Sequence, residues 1–286
     1  LVGNNVVYFY NTATNRVRAL DAFSGTPIWS IHQEDVRALS IASNFLLVMT
    51  ATELDLYNTS NTIYLAQLAD GQGAATLITV NNLSTAAADV TVSFMDEEGD
   101  PLSLDVLGEA SAGSSVTRTI PAGGSVGIQT LGTSEALAVG WATATADMPI
   151  SGSAIFQYGV EGSVLFEAGV LDSKPTGWGN VLASRFETAA GSEFSTGIAI
   201  ANPLDETANV TITYQRVAPA IVVVEEELEI ESMHHEDLFI QSLFPEAVVG
   251  SEGTLIITSD IPVVITALRT QDGFQMSSYP IGQPVR

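Results

Sequence analysis

The chain has 286 residues, of which 33 are acidic and 9 basic, for a formal net charge of −24, and it contains no cysteine. Disulfides, thiolate metal sites and thiol nucleophiles are thereby excluded. Nucleic acid and anionic membrane surfaces are disfavoured as partners, because both are held by clustered Lys and Arg, and Lys174 is the only lysine.

Charged residues make up 15%, against roughly a quarter in an ordinary soluble domain, and mean hydropathy is +0.27. The surface must then be covered largely by Thr, Ser, Ala, Asn and Gly, which leaves much area free for contact with neighbours. No apolar run approaches the roughly 18–20 residues that cross a bilayer, so no membrane insertion is expected. The chain starts at Leu1 and has no basic segment followed by an apolar one, which reads as a mature or excised fragment.

In chain order, residues 1–60 read as a short β-rich segment, with Ala19-Leu20-Asp21-Ala22-Phe23-Ser24-Gly25-Thr26-Pro27-Ile28-Trp29 in one unit and a fainter unit over residues 36–57. Beyond it, alternation of apolar and polar residues predicts strands over 77–80, 90–94, 139–145, 150–156, 198–201, 210–214, 221–227, 254–258 and 263–268. Residues 96–101 predict a hairpin loop and 172–180, with Pro175, Gly177 and Gly179, a short linker. Helical periodicity is confined to 236–244, ahead of Pro245.

The strand-rich part is duplicated. Ala88-Asp89-Val90-Thr91-Val92-Ser93-Phe94 aligns with Ala208-Asn209-Val210-Thr211-Ile212-Thr213-Tyr214, and Asn82 with Asn202, at an offset of 120. Asp147-Met148-Pro149-Ile150 aligns with Asp260-Ile261-Pro262-Val263 at an offset of 113, which also carries Gly140 onto Gly253, Ala154 onto Ala267 and Gly169 onto Gly282. Leu65-Ala66-Gln67-Leu68 is set against Leu182-Ala183-Ser184-Arg185. Matched strands with drifting offsets imply two homologous units differing in loop length. The expected architecture is all-β: a β segment at 1–60, one β-sandwich at 61–174 and a second at 178–286. Each copy has roughly 105–110 residues and about seven strands, the size of an immunoglobulin-like or fibronectin-like sandwich.

The combination of Asn-(Asn/Pro), Ala-x-Val-Thr-(Val/Ile)-(Ser/Thr)-(Phe/Tyr), Ile-Pro-Ala-Gly-Gly, Asp-x-Pro-(Ile/Val) and Glu-Ala-Gly-Val resembles the tandem β-sandwich repeats of large secreted bacterial surface proteins, over residues 62–282. The resemblance implies an extracellular or cell-surface setting and supplies no shared catalytic residues. The second copy departs from it at 231–236, where the Ile-Pro-Ala-Gly-Gly of 120–124 gives way to Ile230-Glu231-Ser232-Met233-His234-His235. The string at 19–29 is similar to the Ala-Leu-Asp-x-x-x-Gly-x-x-x-Trp signature of quinoprotein-type β-propeller blades. A propeller closes with about four or more blades of roughly forty residues, so fewer than two blades imply neither a complete propeller nor a quinone site.

Candidate chemistry is sparse. Asp96, Glu98 and Asp100 have the oxygen-rich look of a calcium loop without the glycine at position 6 and the glutamate at position 12 of an EF-hand; calcium is the one cofactor considered, with an acidic hairpin tip as the plain reading. Gly123-Gly124-Ser125-Val126-Gly127 fits Gly-x-Ser-x-Gly but lies between strands, so a glycine-rich turn is expected in place of a nucleophile. His234 and His235 are adjacent and point to opposite faces of a strand, which opposes joint metal ligation. Glu225, Glu226, Glu227, Glu229 and Glu231 predict a solvated strand face. Trp141 is expected in a core, Trp29 belongs to the blade-like string, and Trp178 is the candidate for stacking on a sugar.

The expected function is accordingly non-catalytic: a secreted or cell-surface structural or adhesive protein, a subunit of a filament or layer assembled with itself through β-strand contacts, or with neighbouring domains of a larger exoprotein. The alternative is a glycan- or calcium-binding module.

Overall fold

The computed structural model describes all residues except 4–5, 22–26, 43–44, 59–60, 161–162, 188–192, 217–220, 246–250, 273–274 and 283–286. The fold is nearly all β, with antiparallel sheets throughout. At the N-terminus β1 (Val2–Gly3), β2 (Val6–Asn11), β3 (Arg16–Asp21) and β4 (Pro27–His32) form one sheet in sequence order, and β5 (Ala38–Ala42), β6 (Phe45–Met49) and β7 (Leu54–Asn58) form another. The β2–β3 turn is set by Asn11, whose Oδ1 accepts from the N–H groups of Ala13 and Thr14 at 3.0 and 3.2 Å, and by Asn15 at φ 50°. Alternation along β2, β3 and β6 buries Tyr8, Val17 and Ala19 against Leu46 and Val48. The blade-like string at 19–29 runs through residues 22–26, which lie outside the described residues.

Next come β8 (Thr62–Asp70), β9 (Ala74–Asn82), β10 (Ala88–Met95), β11 (Ser115–Ile120), β12 (Ser125–Gln129), β13 (Ala138–Ala146), β14 (Ile150–Val160) and β15 (Ser163–Leu171), arranged in two sheets of order β11-β10-β13-β8 and β12-β9-β14-β15. The burial pattern of β10 (Ala88–Met95) shows the period-2 cause: Val90, Val92 and Phe94 are buried and the residues between them are not. They meet Ile78, Val80, Ile128, Ile150 and Phe156 of the facing sheet in one core, a sandwich-like arrangement.

The remainder comprises β16 (Thr176–Glu187), β17 (Glu193–Ala201), β18 (Ala208–Arg216), β19 (Val222–Ile230), β20 (His235–Phe239), α1 (Ile240–Leu243), β21 (Ser251–Gln271) and β22 (Gln275–Tyr279). Strand β21 does the work that β13 and β14 share upstream. Its first part pairs with β18 and β16, and its last part with β17 and β22. A second core gathers Val181, Ile198, Ile200, Val210, Ile212, Tyr214, Leu255, Ile257 and Ile265.

The offsets in the sequence reappear as geometry. Val90 faces Ala146 as Val210 faces Ser259. Asp147 Oδ1 accepts from the Asp89 N–H at 2.9 Å, as Asp260 Oδ1 accepts from that of Asn209 at 2.8 Å. Asn82 donates through Nδ2 to the carbonyls of Ala86, Ile120 and Pro121, and Asn202 to those of Glu206, Ile230 and Glu231. Both asparagines are buried, and each ties three carbonyls of a corner together, some of which also accept from a neighbour, as Pro121 O does from the Gly124 N–H and Glu231 O from the His234 N–H.

Three expectations are corrected. Gly140 faces Leu68 while Gly253 faces Ala183, so Leu68 corresponds to Ala183 and not to Arg185; a register shift between Gly140 and Ala142 hides this in the bare alignment. The strands expected at 254–258 and 263–268 are one continuous strand, β21, whereas within 236–244 β20 takes 236–239 and the short helical turn is α1. The linker read over 172–180 is shorter, since β16 begins at Thr176 and Trp178 faces Thr258 within the ladder.

Candidate functional site

The most distinctive feature outside the two cores is the joint between the β8–β15 half and the β16–β22 half. Strand β8 turns Ile63 and Leu65 into its own core, and so turns Tyr64 and Ala66 outward. There Ala66, Met95 and Trp141 pack against Ala199, Ala201 and Val264 of the other half, with Tyr64 and Met233 at the margin. Small side chains at Ala66, Ala199 and Ala201 let the two sheets approach, and Trp141, fully buried, fills the space between them.

Directional bonds fix this contact. The Trp141 indole N–H donates to the Met233 carbonyl at 2.9 Å, and the His235 main-chain N–H donates to the Glu97 carbonyl at 2.9 Å. Ser173 Oγ donates to the Ile265 carbonyl at 2.8 Å while its N–H bonds to Tyr64 O. Gly99, at φ +80°, abuts Met233 so closely that a Cβ would stand 2.8 Å from the Met233 carbonyl oxygen. Met233 itself holds φ 64°, an uncommon conformation for a side chain of that kind, maintained here by packing and by the bond from Trp141.

His235 is buried beside this cluster, and several carboxylates sit at its rim. The His235 side chain is 2% exposed, and neither ring nitrogen has a hydrogen-bond partner. Burial holds its pKa down to about 4, against the opposite pull of Asp237 and of the Ala66 backbone, which lies near the ring without making a well-formed hydrogen bond. Glu97 is pushed above the usual carboxylate range by partial burial, by the charges of Asp237, Glu98 and Glu236, and by a hydrogen bond with Asp237. Glu236 moves the same way through burial and Asp237, with His234 opposing. Both glutamates remain largely in solvent, which moderates these effects.

The residues singled out in the sequence are dispersed. Asp96, Glu98 and Asp100 do lie on one turn, but Asp96 Oδ1 accepts from the Asp100 N–H at 2.8 Å and the Asp96 N–H donates back to Asp100 O at 3.0 Å, so the turn is closed by its own backbone. Among the described residues, no group of three or more acidic or histidine side chains is arranged to hold a metal ion. Ser125 lies on β12 and donates to Asn81 Oδ1 at 2.6 Å. His234 faces Glu231 at 3.8 Å and does not share a site with the buried His235. Glu225, Glu226, Glu227 and Glu229 line the exposed strand β19. Trp178 is half-buried on β16, and further along the same strand an open groove of about 330 Å³ is lined by Asn180, Leu182, Gln215, Arg216, Glu252 and Thr254, without Trp178.

Trp141 and His235 stood out in the sequence, but their partners across the halves, Met233 and Glu97, did not. A signal was present: the second copy departs from the repeated Ile-Pro-Ala-Gly-Gly at 231–236, and that departure supplies Met233 and His235 to the joint. No protein-family model matches the chain, and comparison with curated proteins gives no match.

Proposed function

We propose that the chain is a non-catalytic scaffold of an extracellular or cell-surface assembly, in which two homologous immunoglobulin- or fibronectin-like sandwiches, residues 61–174 and 178–286, act as one stiff unit and residues 1–60 form a separate β segment available for contact with neighbours or with another copy. The observation that carries this reading is the joint. Repetition of the same strand order and corner asparagines supports homologous units, and the buried cluster with its cross-bonds supports a stiff unit over two beads on a flexible tether. The low-charge surface is suited to neighbour contacts. Gel filtration and negative-stain microscopy over a concentration series test it: elongated particles that associate as concentration rises are expected, and compact monomers at every concentration end the assembly reading.

The groove along β16, the strand that carries Trp178, favours a second reading, a glycan-binding face, because planar amide, guanidinium and carboxylate groups next to apolar Leu182 suit hydroxyls and the C–H face of a sugar ring. Calorimetry with a glycan panel decides it; heats that disappear in Trp178→Ala support it, and silence across the panel removes it.

A further inference from the structure

We propose that the joint between the two halves opens reversibly in acid, with protonation of the His235 ring as the trigger. The proposal rests on the joint alone and stands whether or not the protein assembles. The ring is pinned there because its own main-chain N–H bonds to Glu97 O across the halves. Its two nitrogens are buried and make no well-formed hydrogen bond, and a charged ring would find only the poorly placed Ala66 backbone as an acceptor within the joint.

The surroundings are specific. From β20 and its approach come Asp237, Glu236 and His234, the last beside Glu231. From the turn after β10 come Glu97 and Glu98. Strand β8 contributes the Ala66 backbone and Tyr64, whose hydroxyl burial raises further from ionisation. Strands β17 and β21 contribute Ala199, Ala201 and Val264, none of them charged. The nearest acids sit at the solvent rim, and their pull is outweighed by burial.

The sign follows from linkage. His235 is held down to about 4 in the closed joint and regains its ordinary 6.5 once open. The closed form is therefore fully favoured above pH 6.5 and loses ground as pH falls toward 4. The opening equilibrium rises by up to about tenfold per pH unit, roughly 150-fold between pH 7.5 and 4. Glu97 acts oppositely: its raised pKa means that acid neutralises it while the joint is closed, relieving repulsion with Asp237 and favouring closure in the lower part of that window.

Hydrogen exchange by NMR on the full chain tests this between pH 7.5 and 4, following the Trp141 indole N–H and the His235 amide, with amides of the β9–β14 and β17–β21 ladders as internal references. Both joint protons are expected to lose protection by on the order of 10²-fold while the ladders keep theirs. His235→Phe is expected to flatten the response and Glu97→Gln to steepen it. His235→Ser, carrying the residue found at the corresponding position 125, replaces the Phe variant if ladder protection at pH 7.5 shows misfolding. Unchanged joint protection down to pH 4, loss of ladders together with the joint, or an undiminished response in a folded His235 variant overturns the proposal.

Discussion

At the level of single residues, Asn82 and Asn202 are the sharpest shared constraint. Each donates from one Nδ2 to three carbonyls, and each accepts through Oδ1 from the residue two positions on, Ser84 at 2.9 Å and Leu204 at 3.1 Å. Asn82→Ala or Asn202→Ala takes a donor from the buried Ile120 or Ile230 carbonyl and the acceptor from the Ser84 or Leu204 N–H, and is expected to cost about 1–3 kcal/mol each, read by urea unfolding; similar losses at both sites follow from the matched partners, and a loss at only one contradicts the equivalence. The glycines give a second contrast. A Cβ on Gly140 would lie 2.0 Å from Met95 O and one on Gly253 2.6 Å from Gln215 O, whereas nothing lies within 4 Å of that position on Gly169. Gly140→Ala is expected to destabilise by about 3 kcal/mol or more and Gly169→Ala by well under about 1 kcal/mol, in the same assay.

Among elements, β19 (Val222–Ile230) shows how an edge strand is kept from open-ended pairing. Glu226 faces Ile212, a fully buried residue, and so stands on the inward side of an edge, where a charge must bend out to solvent. The corresponding edge strand β11 (Ser115–Ile120) carries Val116 opposite Val92 at that place. Contacts through strand edges are thereby discouraged at β19 more than at β11. Glu226→Val is expected to raise self-association in a light-scattering concentration series; unchanged scattering with intact folding contradicts a guarding role. The alternation that predicts these strands is local, which is why β10 and β18 were legible from residue pattern alone, while β21 reads as two strands, 254–258 and 263–268, because Pro262 between them suits a turn and the long ladder that joins them is not local. The start of β16 was not legible, because Pro175, Gly177 and Gly179 read as linker while the ladder to β21 that orders them comes from residues about 80 positions away.

Across the whole molecule, the repeat at offsets of 120 and 113 carries most of the architecture, since it encodes the same inward-facing set twice. The joint was not legible in the same way. Periodicity says that Trp141 and His235 belong indoors but not whose interior they enter, and Ala66, Ala199 and Ala201 give no pattern distinct from core alanines. Only the break in the repeat at 231–236 marked the place. Because the Trp141–Met233 and His235–Glu97 bonds tie the halves together, the joint should be closed at neutral pH. The most direct measurement is exchange of the Trp141 indole proton at pH 7.5, with the signal assigned by Trp141→Phe. The bond to Met233 O predicts a proton protected nearly as well as the amides of β13. Exchange at the rate of a free indole contradicts it.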